Sequence, residues 1–154
     1  MLKAVPAVAL VGALTVKVPV PLVNVELAGS RSITATDTVT SSITGGATVT
    51  VNPAAASTFT VIASPSTITA GSSTTVTVTA RDAFGNVATG YTGTVHFTSS
   101  DAGAGLPADY TFTAADNGWH NFSGVTLRTT GSQSVTATDT TTSSITGNTS
   151  VTVT

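Results

Sequence analysis

The chain contains no cysteine, little charge and few aromatic residues, and each shortage excludes a class of protein. Without cysteine there are no disulfides and no thiolate chemistry. Charged residues make up only 8% of the chain, and five Lys and Arg stand against seven Asp and Glu. We expect no nucleic-acid surface, because so few scattered cations cannot neutralise many phosphates. A low-charge chain without cysteine fits an exported β protein.

Hydrophobic residues, by contrast, make up 40% of the chain, which is enough to build a core. About a fifth of the residues are threonine. Threonine is β-branched and suits a pleated surface that is half buried and half wet, so it keeps strands soluble without charge. This composition predicts an all-β protein.

The first 22 residues (1–22) are largely apolar but are not expected to cross a membrane. A spanning helix needs about 20 uninterrupted apolar residues, and Lys17, Pro19 and Pro21 interrupt this stretch. Apolar residues alternate at positions 14–22, which favours an extended strand. The basic Lys3 before an apolar run leaves an export segment as the alternative.

One stretch occurs twice: GSRSITATDTVTSSITGGATVTV at residues 29–51 and GSQSVTATDTTTSSITGNTSVTV at residues 131–153. The offset is 102 residues, and 17 of the 23 aligned positions are identical. A period of about 100 residues is the size of one sandwich domain. We therefore predict one complete repeat at residues 57–154. The C-terminal part of another repeat, residues 23–52, precedes it, with residues 53–56 as a linker.

The complete repeat is predicted to form about seven short strands. In one of them, Val76 and Val78 alternate with threonines, which places apolar groups on one face and hydroxyls on the other. In GTVHFTSS, Val95 and Phe97 are expected to face inward. Another strand is predicted at residues 110–114, followed by a tight turn. The pattern indicates an antiparallel β-sandwich with Greek-key topology.

Three segments carry a resemblance to a known family: TVTARDAFGNVATGYTGTVHFTSSD, LPADYTFTAADNGWHNFSGVTL and GSQSVTATDT. They resemble the bacterial immunoglobulin-like repeats of large surface proteins, in the style of invasin/intimin and filamin-type modules. The D-A-F-G-N turn is the most specific part, and the resemblance covers residues 57–153 and the partial copy. It implies an extracellular or cell-surface location, tandem arrays and a spacer or adhesive role, with no catalytic residues.

Polar candidates for chemistry are few. The two histidines, His96 and His120, lack the spacing of a metal motif, and both are predicted to be ordinary surface side chains. Asp37 and Asp139 are equivalent in the repeat, which favours a turn role through bonds to nearby N–H groups. The alternative is a calcium site using Asp82 and Asp139, with backbone carbonyls completing its oxygen shell. No other cofactor is expected.

The aromatic residues are expected to be needed almost entirely in the core, because they make up only 5% of the chain. The alternative is a binding surface for a glycan or protein receptor, formed by Trp119, Tyr110 and Asp101. Asn121 and Asn148 each begin an N-glycosylation acceptor sequence, whose use depends on the host.

The partial repeat cannot close a sandwich of its own. Apolar residues such as Ile33, Val49 and Val51 would form a face without a partner sheet. Three arrangements would cover it: the rest of a longer array, the LTVKVPVPL segment folded back, or another copy joined by strand addition. The sequence thus predicts a non-catalytic structural or adhesive module that self-associates. A carbohydrate- or receptor-binding accessory module is the alternative.

Overall fold

A computed structural model describes residues 26–154 of the chain. They fall into two units, the first ending at Val51 and the second running from Asn52 to Thr154. The predictions for residues 1–22, a strand or an export segment, lie outside the described residues. Between residues 26 and 154, no helix has the length and apolar character needed to cross a membrane.

The first unit contains one antiparallel hairpin. Strand β1 (Gly29–Thr36) pairs with strand β2 (Thr44–Val51) in a register that joins Gly29 to Val51 and Thr36 to Thr44. The turn closes when the Asp37 amide donates to the Ile43 carbonyl at 2.9 Å. We refer to residues 29–51 as the first hairpin.

The second unit contains eight strands and one three-residue 3₁₀ turn, Ala114–Asp116, instead of the seven strands expected. The strands are β3 (Thr58–Ser64), β4 (Thr67–Ile68), β5 (Ser73–Arg81), β6 (Thr94–Ser99), β7 (Tyr110–Thr111), β8 (Trp119–Thr126), β9 (Gly131–Asp139) and β10 (Thr146–Val153). We refer to residues 131–153, which hold β9 and β10, as the second hairpin.

These strands form two sheets. One has the order β4-β10-β9-β6-β7 and the other the order β3-β5-β8. Neighbouring strands are antiparallel except for β4 and β10, which pair in parallel. The predicted all-β antiparallel fold is confirmed, whereas the Greek-key connection pattern stays a prediction.

The core lies between the two sheets, and the alternation of side chains in each strand supplies it. In β5, Val76, Val78 and Ala80 are fully buried while the threonines between them are half buried. Val95 and Phe97 of β6 face inward as predicted. Burial of one such Val or Phe contributes about 1.5–3 kcal/mol, so the apolar rows of both sheets hold the unit together.

Two local predictions differ from the structure. The strand predicted at residues 110–114 stops at Thr111, because Asp116 Oδ2 accepts the Thr113 amide at 2.7 Å and begins the 3₁₀ turn. Residues 53–56, predicted as a linker, belong to the second unit. The Ala54 amide donates to Asp82 Oδ2 at 3.0 Å, and Ala56 packs against the core.

The expectation that nearly all aromatic residues lie in the core is wrong for two of them. Phe84 and Trp119 are exposed, and Trp119 keeps 50% of its surface. Phe84 lies in the Asp82 turn, and Trp119 begins β8 immediately after the turn residue Gly118. Phe84 lies outside the strands, and the alternation of β8 places Trp119 on its outward face, three positions before the inward Phe122.

Candidate functional site

The repeat-equivalent acids have the same structural role in both hairpins. Asp37 Oδ1 accepts the amides of Val39 and Thr40 at 2.8 and 2.6 Å. Asp139 Oδ1 accepts the amides of residues 141 and 142 at the same two distances. The predicted turn role is confirmed, because each carboxylate holds the first amides of its own turn.

Asp139 has a further partner that Asp37 lacks in the described residues. The Tyr91 hydroxyl donates to Asp139 Oδ2 at 2.5 Å, and both residues are buried. Burial raises the pKa of Tyr91 far above its ordinary value, and the adjacent carboxylate raises it further. Burial also acts to raise the pKa of Asp139, but the bond from Tyr91 and the two turn amides outweigh it and lower that pKa.

Asp82 organises the D-A-F-G-N turn. Its Oδ1 accepts the amides of Phe84 and Asn86, and its Oδ2 accepts the Ala54 amide and the Asn86 side-chain amide, at 2.9 to 3.0 Å. Burial acts to raise the pKa of Asp82, but these four donors outweigh it and lower the pKa to about 2.

Calcium at Asp82 and Asp139 stays a prediction, and the described geometry adds no support for it. The oxygens of both carboxylates accept bonds from N–H or O–H groups. Among residues 26–154, no three His, Cys, Asp or Glu side chains come together in a group that could hold a metal ion.

Asp101 is buried, so it does not contribute to the exposed ligand surface for which it was a candidate. Its carboxylate accepts the amides of Gly103, Arg128 and Thr129 and the Thr129 hydroxyl. Bonds from the Thr129 and Arg128 amides, in that order, hold its pKa well below the ordinary value. Asp101 therefore ties the loop after β6 to the connection between β8 and β9.

Tyr110 contacts His120, which follows Trp119 in β8. The His120 ring stacks on Tyr110 with centroids 4.1 Å apart, and His120 Nδ1 lies 2.9 Å from Asp116 Oδ1. The Tyr110 hydroxyl donates to the same carboxylate at 3.1 Å. The Thr113 amide is the main cause of the lowered pKa of Asp116. We call the stacked rings of Tyr110 and His120 the aromatic group. Trp119 lines a shallow depression beside it.

The two histidines differ in a way that the sequence did not indicate. His96 is exposed as predicted, with its Nδ1 2.6 Å from Asp109. His120 is half buried and stacked on Tyr110, so the prediction of an ordinary surface side chain is wrong for it. Asn121 and Asn148 are both exposed, and the use of either as a glycan acceptor stays a prediction.

The first hairpin exposes the apolar residues that the second hairpin buries. Ile33, Ile43 and Val49 keep 44%, 58% and 42% of their surface. Their equivalents in the second hairpin, Val135, Ile145 and Val151, keep 9% or less. The sequence therefore predicted the apolar face correctly for the described residues.

Two solved adhesin structures are similar to the chain. InvE of Yersinia pseudotuberculosis is 19% identical, with a TM-score of 0.49 over 82% of this chain and 40% of that one. The Escherichia coli adhesin FdeC is 23% identical, with a TM-score of 0.45 over 82% of this chain and 41% of that one. The chain thus spans about two fifths of each. No family model and no curated protein matches it.

Proposed function

We propose that the chain is a non-catalytic structural module of an extracellular or cell-surface protein, acting as a spacer or display unit and associating with other copies. The observation that carries this proposal is the repetition of one hairpin, with the same register and turn bonds, 102 residues apart. Repetition of a whole structural unit is the way in which proteins build length. Internal hydrogen bonds occupy Asp82, Asp101 and Asp139, which supports a stabilising role for these acids.

The ends of the second unit are joined in a way that suits a spacer under tension. Near the N-terminal end, β4 pairs in parallel with the C-terminal strand β10. The Thr152 and Thr154 amides donate to Ser66 and Ile68 at 2.8 and 2.9 Å, and the Ala70 amide donates to Thr154 at 2.9 Å. Tension on the two ends of the unit therefore loads these bonds together, in shear.

Single-molecule pulling tests the spacer role directly. Because the chain has no cysteine, introduced cysteine pairs give unique attachment points. With Asn52→Cys and Thr154→Cys, we expect one abrupt unfolding event, which lengthens the molecule by about 340–370 Å less the end-to-end distance of the folded unit. Thr130→Cys with Thr154→Cys is the matched control, since it pulls the paired ends of β9 and β10 apart and breaks their bonds in sequence. Equal forces in the two geometries would contradict a load-bearing role.

Glycan or receptor binding is the second candidate function, and the exposure of Trp119 beside the aromatic group favours it. A flat, half-exposed indole is the kind of surface on which a sugar ring stacks. Binding to a glycan array that is lost in Trp119→Ala, with unchanged thermal stability, would support this function. A wild-type chain that binds no glycan or receptor would exclude it without affecting the spacer proposal.

A further inference from the structure

We propose that the first hairpin is a docking element that can replace the second hairpin on strands β3–β8 of a second copy of the chain. The inference deepens the proposed association between copies and rests on it, by naming the surface used on each partner. It differs from simple strand addition at an edge, because a complete two-stranded hairpin inserts into a sandwich and becomes part of its core.

The two hairpins match in backbone as well as in sequence. Each has eight paired positions per strand in the same register. In each, a pair of threonine hydroxyls meets across the strands, Thr36 with Thr44 at 3.2 Å and Thr138 with Thr146 at 2.9 Å. The first hairpin therefore has the shape that the acceptor strands already bind.

A glycine gives independent support. A Cβ on Gly147 would lie 2.1 Å from the Phe59 carbonyl oxygen, so the close approach of β3 requires glycine there. A Cβ on the equivalent Gly45 would meet no atom of residues 26–154 within 4 Å, and the φ of Gly45 lies outside the positive range that favours glycine. Glycine weakens a strand interior unless another backbone approaches it. Gly45 is thus explained by a strand equivalent to β3 packing on the first hairpin.

The inward face of the first hairpin offers the side chains that the acceptor uses. Asp37 stands where Asp139 accepts the Tyr91 hydroxyl, and its Oδ1 already holds the turn amides in the same way. Ile43, Val49 and Val51 are identical to their buried equivalents in the second hairpin, and Ile33 adds one methylene to Val135. A second copy of the chain is therefore the partner whose surface fits this face.

Arg31 is a polar mismatch at a position that is buried in the second hairpin. Its equivalent Gln133 accepts the Ser100 hydroxyl at 2.7 Å and donates to the Thr129 carbonyl. Arg31 makes the equivalent of the second bond, to the Leu27 carbonyl at 3.0 Å, but a guanidinium cannot accept a hydroxyl hydrogen. The first hairpin is thus expected to be the weaker occupant, so in the unmodified chain it docks only on the minority of copies whose own second hairpin has detached.

Sedimentation of the full chain tests the exchange. Gly147→Val blocks docking of the second hairpin against Phe59, so we expect association to at least twice the monomer mass, with amide protection retained in β5 and β6. Gly45→Val alone should fold as the wild type does, because the described residues leave that position open. The double variant Gly45→Val/Gly147→Val should lose both the association and the protection.

Several results would overturn the proposal. A monomeric Gly147→Val chain, folded or unfolded, excludes exchange between copies. Equal association in the single and double variants shows that exposed apolar surface, and not the first hairpin, causes it. Adding Arg31→Gln to Gly147→Val should lower the concentration for half association by about five-fold, as one hydrogen bond is restored. An unchanged concentration for half association would show that residue 31 does not take the position of Gln133, which would contradict the register assigned to the docked hairpin. The pulling experiment on the unmodified chain is independent of all these outcomes.

Discussion

Replacing Phe112 with alanine should strongly destabilise the second unit, whereas replacing Trp119 with alanine should not. Phe112 is 1% exposed, and its ring meets those of Tyr91 and Tyr110 edge to face at centroid distances of 5.1 and 5.6 Å. Truncating a buried Phe to Ala costs about 3–5 kcal/mol, because burial is lost and a cavity is left. Trp119 keeps half of its surface, so its loss should cost about 1 kcal/mol or less.

Thermal and denaturant unfolding of the full chain measures both variants. The Phe112→Ala chain should melt more than about 10 °C below the wild type, since 1 kcal/mol shifts the midpoint of a domain of this size by about 4–8 °C. The Trp119→Ala chain should melt within a few degrees of the wild type, on the same scale. A Trp119→Ala loss as large as that of Phe112→Ala would show that the indole belongs to the core and would refute the described packing.

Two further predictions concern the buried acids. Tyr91→Phe should cost about 1–3 kcal/mol in denaturant unfolding, because Oδ2 of buried Asp139 loses the hydroxyl donor. Tyr110→Phe should cost less, since Asp116 is more exposed and its two oxygens keep Thr113 and His120 as partners. Equal losses would contradict this ranking. The folded pKa values of Asp82, Asp101, Asp116 and Asp139 are all lowered, so their stabilisation is complete above the unfolded pKa of about 3.9 and is lost as the pH falls through the folded values. The unfolding midpoint should therefore be level between about pH 5 and 7 and fall below about pH 4, and Asp101→Asn should flatten that fall. An equally steep fall in the variant would show that Asp101 does not take part.

Much of the fold follows from local patterns in the sequence. Alternation of valine with threonine located β5, and the inward positions of Val95 and Phe97 in β6 followed from the same rule. The acids of the two repeats were assigned to turns because equivalent positions share a role. These features depend on neighbours along the chain, which a sequence displays directly.

Contacts between distant segments were not predictable in the same way. Nothing in the sequence pairs Tyr91 with Asp139, or Asp101 with the Arg128 and Thr129 amides. The repeat offered a partial signal, since Asp139 recurs as Asp37, but Tyr91 has no described equivalent in the first unit. Trp119 differs in its reason: alternation from the inward Phe122 places it on the outward face of β8, but the sequence alone did not decide which face of that strand is inward.

The two hairpins separate what local sequence determines from what packing determines. Sixteen paired positions and the Asp37 and Asp139 turns are the same in both, so strand pairing and turn closure are properties of the repeated segment itself. Burial is not a property of the repeated segment itself, because Ile43 is exposed whereas its equivalent Ile145 is buried. Gly45 shows the difference most clearly: no contact among the described residues requires glycine there, and the Phe59 backbone requires its equivalent in the second hairpin. Gly45 therefore indicates a packing partner for the first hairpin, namely a strand equivalent to β3.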